Sequence, residues 1–339
     1  MTYSAIFLLA YFGVEIVRRW GLRRQIVAVP NERSLHINPT PYGGGLAIVI
    51  VCLGFYTVYA TLIFSNFSWS YFLGALLIAT ISWLDDLFSI PIIWRFLVHS
   101  AAALGVIFGL GYFQEIYIPF GNFFNIGLLG AVLTFFWIVW LTNAYNFMDG
   151  IDGLAGLQAV TSGIGWLVVS KILGVDETSF YSGLLAFACL GFLIQNWQPA
   201  KIFMGDVGSG FLGFSFAVLP LLAIREKKEF QGMLFISAVV LVWLFLWDTI
   251  LTFFRRMVLF EKVWLAHRGH IYQRFIVSGF SHQYITCLYG FLSILNVAIL
   301  LLWLNFKNGF GLVLIIFLGL ESLGLLIFLE FVERHTIKN

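Results

Sequence analysis

The sequence predicts an all-α integral membrane protein with about eleven transmembrane helices, ten being the lower count, in one polytopic domain over residues 1–339. Three observations lead there. Apolar residues make up 60% of the chain and charged ones 11%, with a mean hydropathy of +0.94, outside the usual range of soluble domains. The apolar residues fall in long runs, and a hydrocarbon layer of about 30 Å takes roughly 20 helical residues. The runs are continuous, whereas the strands of a membrane β-barrel alternate apolar with polar residues.

The runs cover about 2–17, 43–63, 70–84, 93–112, 126–142, 153–173, 179–195, 207–224, 232–254, 283–304 and 309–332. The first carries Arg18 and Arg19 after it and has no evident small-residue cleavage site, so it reads as a retained anchor. With the N-terminus outside, fourteen of the nineteen Lys and Arg residues lie on the inner side. The positive-inside rule favours that orientation, with the loop Arg225-Glu-Lys-Lys228 as the contrary signal. The polar stretches 18–42 and 255–282 and the turns 85–92, 143–152 and 196–206 then share the cytoplasmic face. The outer connections 64–69 and 113–125 are short and aromatic and read as simple closures. Cys52, Cys189 and Cys287 lie singly in apolar runs, with no spacing for a disulfide framework or a zinc site. A net charge of +2 gives no ground for a nucleic-acid partner.

Chemistry concentrates in Asn143-Ala-Tyr-Asn146-Phe-Met-Asp149-Gly-Ile-Asp152-Gly, where two amides and two carboxylates recur at three-residue spacing. Desolvating even one ionised carboxylate costs several kcal/mol, so such a cluster beside apolar runs calls for a cation. Amide and carboxylate oxygens suit Mg²⁺ or Mn²⁺. Helix capping explains one such residue, not four. Met204-Gly-Asp206-Val-Gly-Ser209-Gly210 reads as a Gly-rich turn opening a span, whose free N–H groups and helix dipole would attract a diphosphate. By itself that turn is equally a plain helix cap. Asp85-Asp86 ends the third span; adjacent carboxylates repel, which suits a proton acceptor, a metal contact or simply a solvated helix end.

His267-Arg268-Gly-His270 lies in the basic loop, where two His flanking an Arg could grip phosphate and sugar hydroxyls. A His-x-x-His spacing also suits zinc, but no Cys or third His adjoins it. Arg255-Arg256 reads by default as a contact to membrane lipid headgroups. Pro39-Thr-Pro41-Tyr42-Gly43-Gly-Gly45 is either a tight turn or a ligand contact. Glu15 and Asp248 sit near the inner ends of their spans and either reach the site or snorkel.

In this order, these motifs resemble those of the polyprenyl-phosphate N-acetylhexosamine-1-phosphate transferases, glycosyltransferase family 4. The resemblance runs from Pro30-Asn31-x-Arg33-Ser-x-His36 through Pro39–Gly45, Trp83-Leu-Asp85-Asp86, Asn143–Leu154 and Phe203-Met-Gly205-Asp206-x-Gly-Ser209 to the His loop. It implies transfer of a sugar 1-phosphate from a UDP-N-acetylhexosamine to undecaprenyl phosphate, with release of UMP and a need for Mg²⁺, or Mn²⁺. By motif, Asp206 and Asn146 match metal ligands, and Asp85, with Asp86 beside it, a base or an orienter of the lipid phosphate. Asp149 and Asp152 would organise the nucleotide side, and His267 and His270 would contact phosphates or sugar. Asn143, His36, Gly205, Ser209, Arg268 and Arg95 complete the candidate substrate contacts, Arg95 for the lipid phosphate. The His267-x-x-His270-x-Tyr-Gln ending looks most like the branch that initiates bacterial O-antigen synthesis, which points to a 6-deoxy sugar such as N-acetylfucosamine or N-acetylquinovosamine, with N-acetylglucosamine as the alternative. The resemblance also allows a homodimer.

Two positions depart from the family pattern. Leu87-Phe-Ser89 stands where many members carry a further acid or base, and Tyr42 where an Arg often precedes the glycines. The rival class is an ion-coupled transporter or flippase, whose sites usually lie near the membrane midplane at broken helices of repeated halves. Here the acids gather at one interface and no repeat is evident.

Overall fold

The computed structural model describes residues 2–28, 39–118, 122–263, 267–306 and 310–336. Among them, nine helices are long and apolar enough to cross a membrane. They are α2 (Gly45–Leu62), α3 (Trp69–Phe88), α4 (Ile92–Leu110), α5 (Leu129–Met148), α6 (Leu154–Leu173), α7 (Asp176–Asn196), α8 (Asp206–Glu226), α12 (His282–Phe306) and α13 (Phe310–Thr336). A bent pair, α9 (Gln231–Leu241) and α10 (Trp243–Val258), is long and apolar enough only when taken together, and a short α11 (Ile271–Val277) follows it.

The first expected span is α1 (Thr2–Arg24), 23 residues or about 35 Å long. It is not among the apolar set, because its end carries Glu15, Arg18 and Arg19. Glu15 is spent on its own helix, pairing with Arg18 at 2.8 Å and Arg19 at 2.6 Å. Ile6, Ala10 and Val14 recur at helical spacing and bury that face against α7. Gly191 on α7 lets the backbones meet: a Cβ there would stand 2.6 Å from the Phe7 carbonyl oxygen.

α8 is the centre of the bundle, with 94% of its apolar window buried, against 22% for α4 and 28% for the α13 span at the lipid-facing side. It packs on α2, α3, α5 and α7. Since apolar side chains gain little by leaving lipid, such contacts rest on close packing and buried hydrogen bonds.

Three expectations need correction. The run 232–254 is not one helix: it breaks at Val242, and the two halves diverge by 71°. The break is tolerated because the freed Leu241 carbonyl accepts from Gln158 Nε2 at 2.9 Å and Ser162 Oγ at 2.7 Å, while Ser293 Oγ donates to Gln158 Oε1 at 2.7 Å. The outer connection 113–125 is more than a closure, for β3 (Glu115–Ile118) pairs antiparallel with β4 (Asn122–Asn125). A second pair, β1 (Val27–Ala28) with β2 (Thr40–Pro41), ties the end of α1 to the start of α2. Finally, α5 runs through Asn143 and Asn146 to Met148, so both amides stand on a helix rather than in a turn.

Gln158→Leu should destabilise the protein by about 1–3 kcal/mol, because Ser293 and half of the Leu241 carbonyl's acceptance lose their partner. A lowered melting temperature in detergent is the expected reading; an unchanged one would remove the amide from the account of the break.

Candidate active site

Four helix ends meet at one end of the bundle. α3 stops at Phe88, where Ser89 turns left-handed at φ +52, and Ile90 N–H donates to Asp85 Oδ1 at 2.7 Å. Asp86, on the neighbouring position, faces α8: Asp206 N–H donates to its Oδ1 at 3.0 Å and Val207 N–H to its Oδ2 at 3.1 Å. A carboxylate from another helix therefore caps α8. This corrects the reading of the Gly-rich turn as a diphosphate cradle. Its first N–H groups are taken by Asp86, and those of Gly208 and Ser209 fold back to the Gly205 carbonyl.

Gly205 permits this approach twice over. Its φ is +77, and a Cβ would stand 2.8 Å from Asp86 Oδ2. The Pro39–Gly45 motif resolves as close backbone packing: Gly44 and Gly45 N–H donate to the carbonyls of Phe203 and Met204 at 2.9 and 2.8 Å. A side chain at Gly45 would collide with the Gly208 backbone. Tyr42 donates its hydroxyl to the Asp86 carbonyl at 2.8 Å.

On the other side of this junction, Arg95 of α4 gathers oxygens. Its Nη1 pairs with Asp85 Oδ2 and, at 3.3 Å, with Asp206 Oδ2, while Nη2 reaches Asn146 Oδ1 at 3.4 Å. Asn146 Nδ2 in turn donates to Ser209 Oγ at 3.2 Å, and Ser209 is fully buried. The guanidinium thus marks where two carboxylates and an amide oxygen converge on positive charge. A cleft of about 400 Å³ opens beside it, lined by Ala28, Tyr42, Asp85, Asp86, Ser89, Ile90 and Asp206. Asp149 ends α5 next to this group; burial first, then Asp206, Asp86 and Asp152, raises its carboxyl well above the usual range.

The remaining candidates divide. Asp152 turns toward α12: it accepts from Ala200 N–H at 3.1 Å and faces His282 Nδ1 at 3.4 Å. Asn143 lies one turn behind Asn146, donating to the Val139 carbonyl at 2.7 Å and meeting His99 Nδ1 at 3.3 Å. His267 and His270 stack at 4.8 Å, with Arg268 half-buried between them in sequence. His270 is only 4% exposed and hydrogen-bonded to Asp248. Tyr272 ties this loop to the acidic side, donating to the Phe147 carbonyl at 2.9 Å. Arg255 and Arg256 also have partners within the protein: Arg255 donates to the Gly269 carbonyl at 2.6 Å, and Arg256, 7% exposed, pairs with Glu261 at 2.7 Å. His36, with Arg33, falls outside the described residues.

Sequence reasoning missed His99 and His282. His99, four residues after Arg95, is an ionisable residue inside an apolar span, which is itself a signal. His282 had no comparable mark.

A model of glycosyl transferase family 4 matches residues 68–225, from the cap of α3 to the end of α8, and so includes every acidic motif above. A Bacillus subtilis protein named "Probable undecaprenyl-phosphate N-acetylglucosaminyl 1-phosphate transferase" is 31% identical over 322 residues, covering 91% of this chain and 88% of that one. The chain belongs to glycosyl transferase family 4. Among other relatives, a "Decaprenyl-phosphate N-acetylglucosaminephosphotransferase" of Mycobacterium tuberculosis is 30% identical, covering 81% of this chain and 75% of its own length. A "Phospho-N-acetylmuramoyl-pentapeptide-transferase" of Streptococcus equi shares 39% over 110 residues, 32% of each chain. The family match ends before the His loop, so the loop's geometry stands apart from it.

Among the described residues, no group of three His, Cys, Asp or Glu side chains is arranged as a ready metal site. The donor set around Arg95 nevertheless fits a hard divalent ion. Asp206 and Asn146 with Asp85 offer oxygens only, and such ions commonly take one or two carboxylates and leave the rest to water and phosphate.

The His267 imidazole is pushed down to about 4, first by burial and then by His270, Arg256 and Arg255. A histidine lowered by folding contributes stability above its ordinary value near 6.5, and that contribution is lost as pH falls. Thermal stability should therefore drop between about pH 6.5 and 4, and drop less in His267→Gln. Equal slopes in melting experiments would sink this assignment.

Proposed function

We propose that the protein transfers an N-acetylhexosamine 1-phosphate from a UDP-sugar to undecaprenyl phosphate, releasing UMP. The observation that carries this is the convergence of Asp85, Asp206 and Asn146 on one cationic group beside an open cleft, at the end of an apolar bundle. Two anions must meet there, one water-soluble and one held in lipid. Phosphoryl transfer demands positioning and charge neutralisation more than covalent help. The names of the Bacillus and Mycobacterium relatives support the polyprenyl phosphate acceptor.

Asp206 and Asn146, with Asp85 as a third oxygen donor, would hold Mg²⁺, or Mn²⁺. The ion would supply neutralisation of the diphosphate. The chain's own residues do the rest. Arg95, whose guanidinium already lies beside the cleft, would bind a phosphate. A lipid-phosphate oxygen forms the bond to the β-phosphorus, and the bond from that phosphorus to the bridging oxygen breaks, its electron pair leaving with UMP. A phosphate dianion needs no base near neutral pH. Asp85, already accepting from Ile90 N–H and pairing with Arg95, serves better as an orienter than as a proton acceptor. Asp149, beside Asp206, borders the nucleotide side, and His267 faces the diphosphate as a neutral N–H donor.

The His267-x-x-His270-x-Tyr-Gln ending favours a 6-deoxy-N-acetylhexosamine and a role in O-antigen initiation. The relatives' names favour N-acetylglucosamine, and both donors belong in the assay. The site would face the cytoplasm from the bacterial inner membrane, where nucleotide sugars are found.

UMP release from purified protein with undecaprenyl phosphate, Mg²⁺ and a panel of UDP-N-acetylhexosamines tests the reading. Release should need lipid and metal together, and the best donor names the sugar; none with any donor would refute it. Asp206→Asn should cut turnover on the order of 100-fold or more while melting and elution stay unchanged. Retained turnover would remove Asp206 from the metal site. A reporter fused after residue 339 should be active in the cytoplasm, and a periplasmic signal would reverse the orientation.

A further inference from the structure

Asp248 lies in α10, just past the break at Val242, and is 1% exposed. An ionised carboxylate so deep is tolerated only if its oxygens are satisfied. Here five donors meet it. Oδ1 accepts from His270 Nδ1 at 3.0 Å, Ile271 N–H at 3.0 Å and Thr252 Oγ1 at 3.2 Å. Oδ2 accepts from Tyr272 N–H and Tyr289 Oη, both at 3.2 Å.

These donors come from α10, α11 and α12, so one side chain fastens the His loop to two spans. The contact with His270 also has a chemical consequence. A carboxylate can only accept, so Nδ1 must carry the proton, and Nε2 becomes the ring's acceptor. His267 is fixed in the opposite sense: its Nδ1 accepts from Gly269 N–H at 3.0 Å, which leaves the proton on Nε2. The two stacked rings therefore differ in tautomer. The loop they occupy is held against the acidic side, for a side chain at Gly150 would collide with the Tyr272 hydroxyl that binds Phe147.

We propose that Asp248 is a positioning residue for the transfer reaction: it fixes His270 as the Nδ1–H tautomer, so that Nε2 is the nitrogen offered to the substrate. The role in transfer rests on the transferase reading; the tautomer does not. A residue acting this way through a histidine contributes on the order of 10- to 100-fold in activity.

The first test is ¹⁵N NMR of histidine-labelled wild-type protein in detergent, with His270 assigned by its loss in His270→Ala. His270 should give the Nδ1–H pattern and His267 the Nε2–H pattern; an Nε2–H tautomer at His270 overturns the proposal, whether or not the protein is active. The second is a double-mutant cycle on UMP release. Asp248→Asn should lower kcat/KM on the order of 10- to 100-fold alone, and by less than about twofold in the His270→Ala background. Losses that multiply independently would make Asp248 a structural anchor only, and overturn it. Absence of UMP release from wild-type protein refutes the transferase reading instead, and leaves the NMR result to decide on Asp248.

Discussion

The first N–H groups of a helix have no partner within it and must find one elsewhere. At the start of α8 that partner is the Asp86 carboxylate. The pairing needs α3 and α8 to meet end to end, Gly205 to pass beneath the carboxylate, and Gly44 and Gly45 to lie against the 203–204 backbone. Since α8 is the most buried helix of the bundle, its register sets the positions of the spans around it. Asp206, the first residue of that helix, is thereby aimed at the cleft.

The rest of the acidic side follows from the charge this creates. Asp85, Asp86, Asp149 and Asp206 crowd one region, with Arg95 as the cation placed among them. Like charges at such range raise each other's affinity for any positive group. The arrangement favours a further cation and, through it, a phosphate. Asp152 and Asn143 lie outside the cluster and have other partners, His282 and His99.

The basic side is assembled separately. It hangs on α10, which the break at Val242 sends off at 71° from α9, and Asp248 holds the His loop there. Contact between the sides passes through Tyr272 and Phe147, close to Asp149. The carboxylate oxygens thus gather around Arg95 on one side, and the histidine nitrogens are held by Asp248 on the other.

The membrane class, most of the long helices and the acidic motifs were legible in the chain, because hydrophobic length and buried charge are local properties; the short α11 inside the polar stretch 255–282 was not. The glycines of 43–45 and 205 were visible as special positions, but whether they served a turn, a ligand or a backbone contact depended on residues far away in sequence. The turn at 204–210 looked like an open anion cradle because its N–H groups appear free until Asp86 is set against them. The inward partners of Arg255 and Arg256 could not be read from their place in a basic loop. The bend at Val242 had no sign in the apolar run, since its cost is met by Gln158, Ser162 and Ser293 from other helices. Sequence alone determined which residues were costly to bury. Only the tertiary structure decided which partner met each cost, because hydrogen bonds and ion pairs depend on distances that the chain order does not contain.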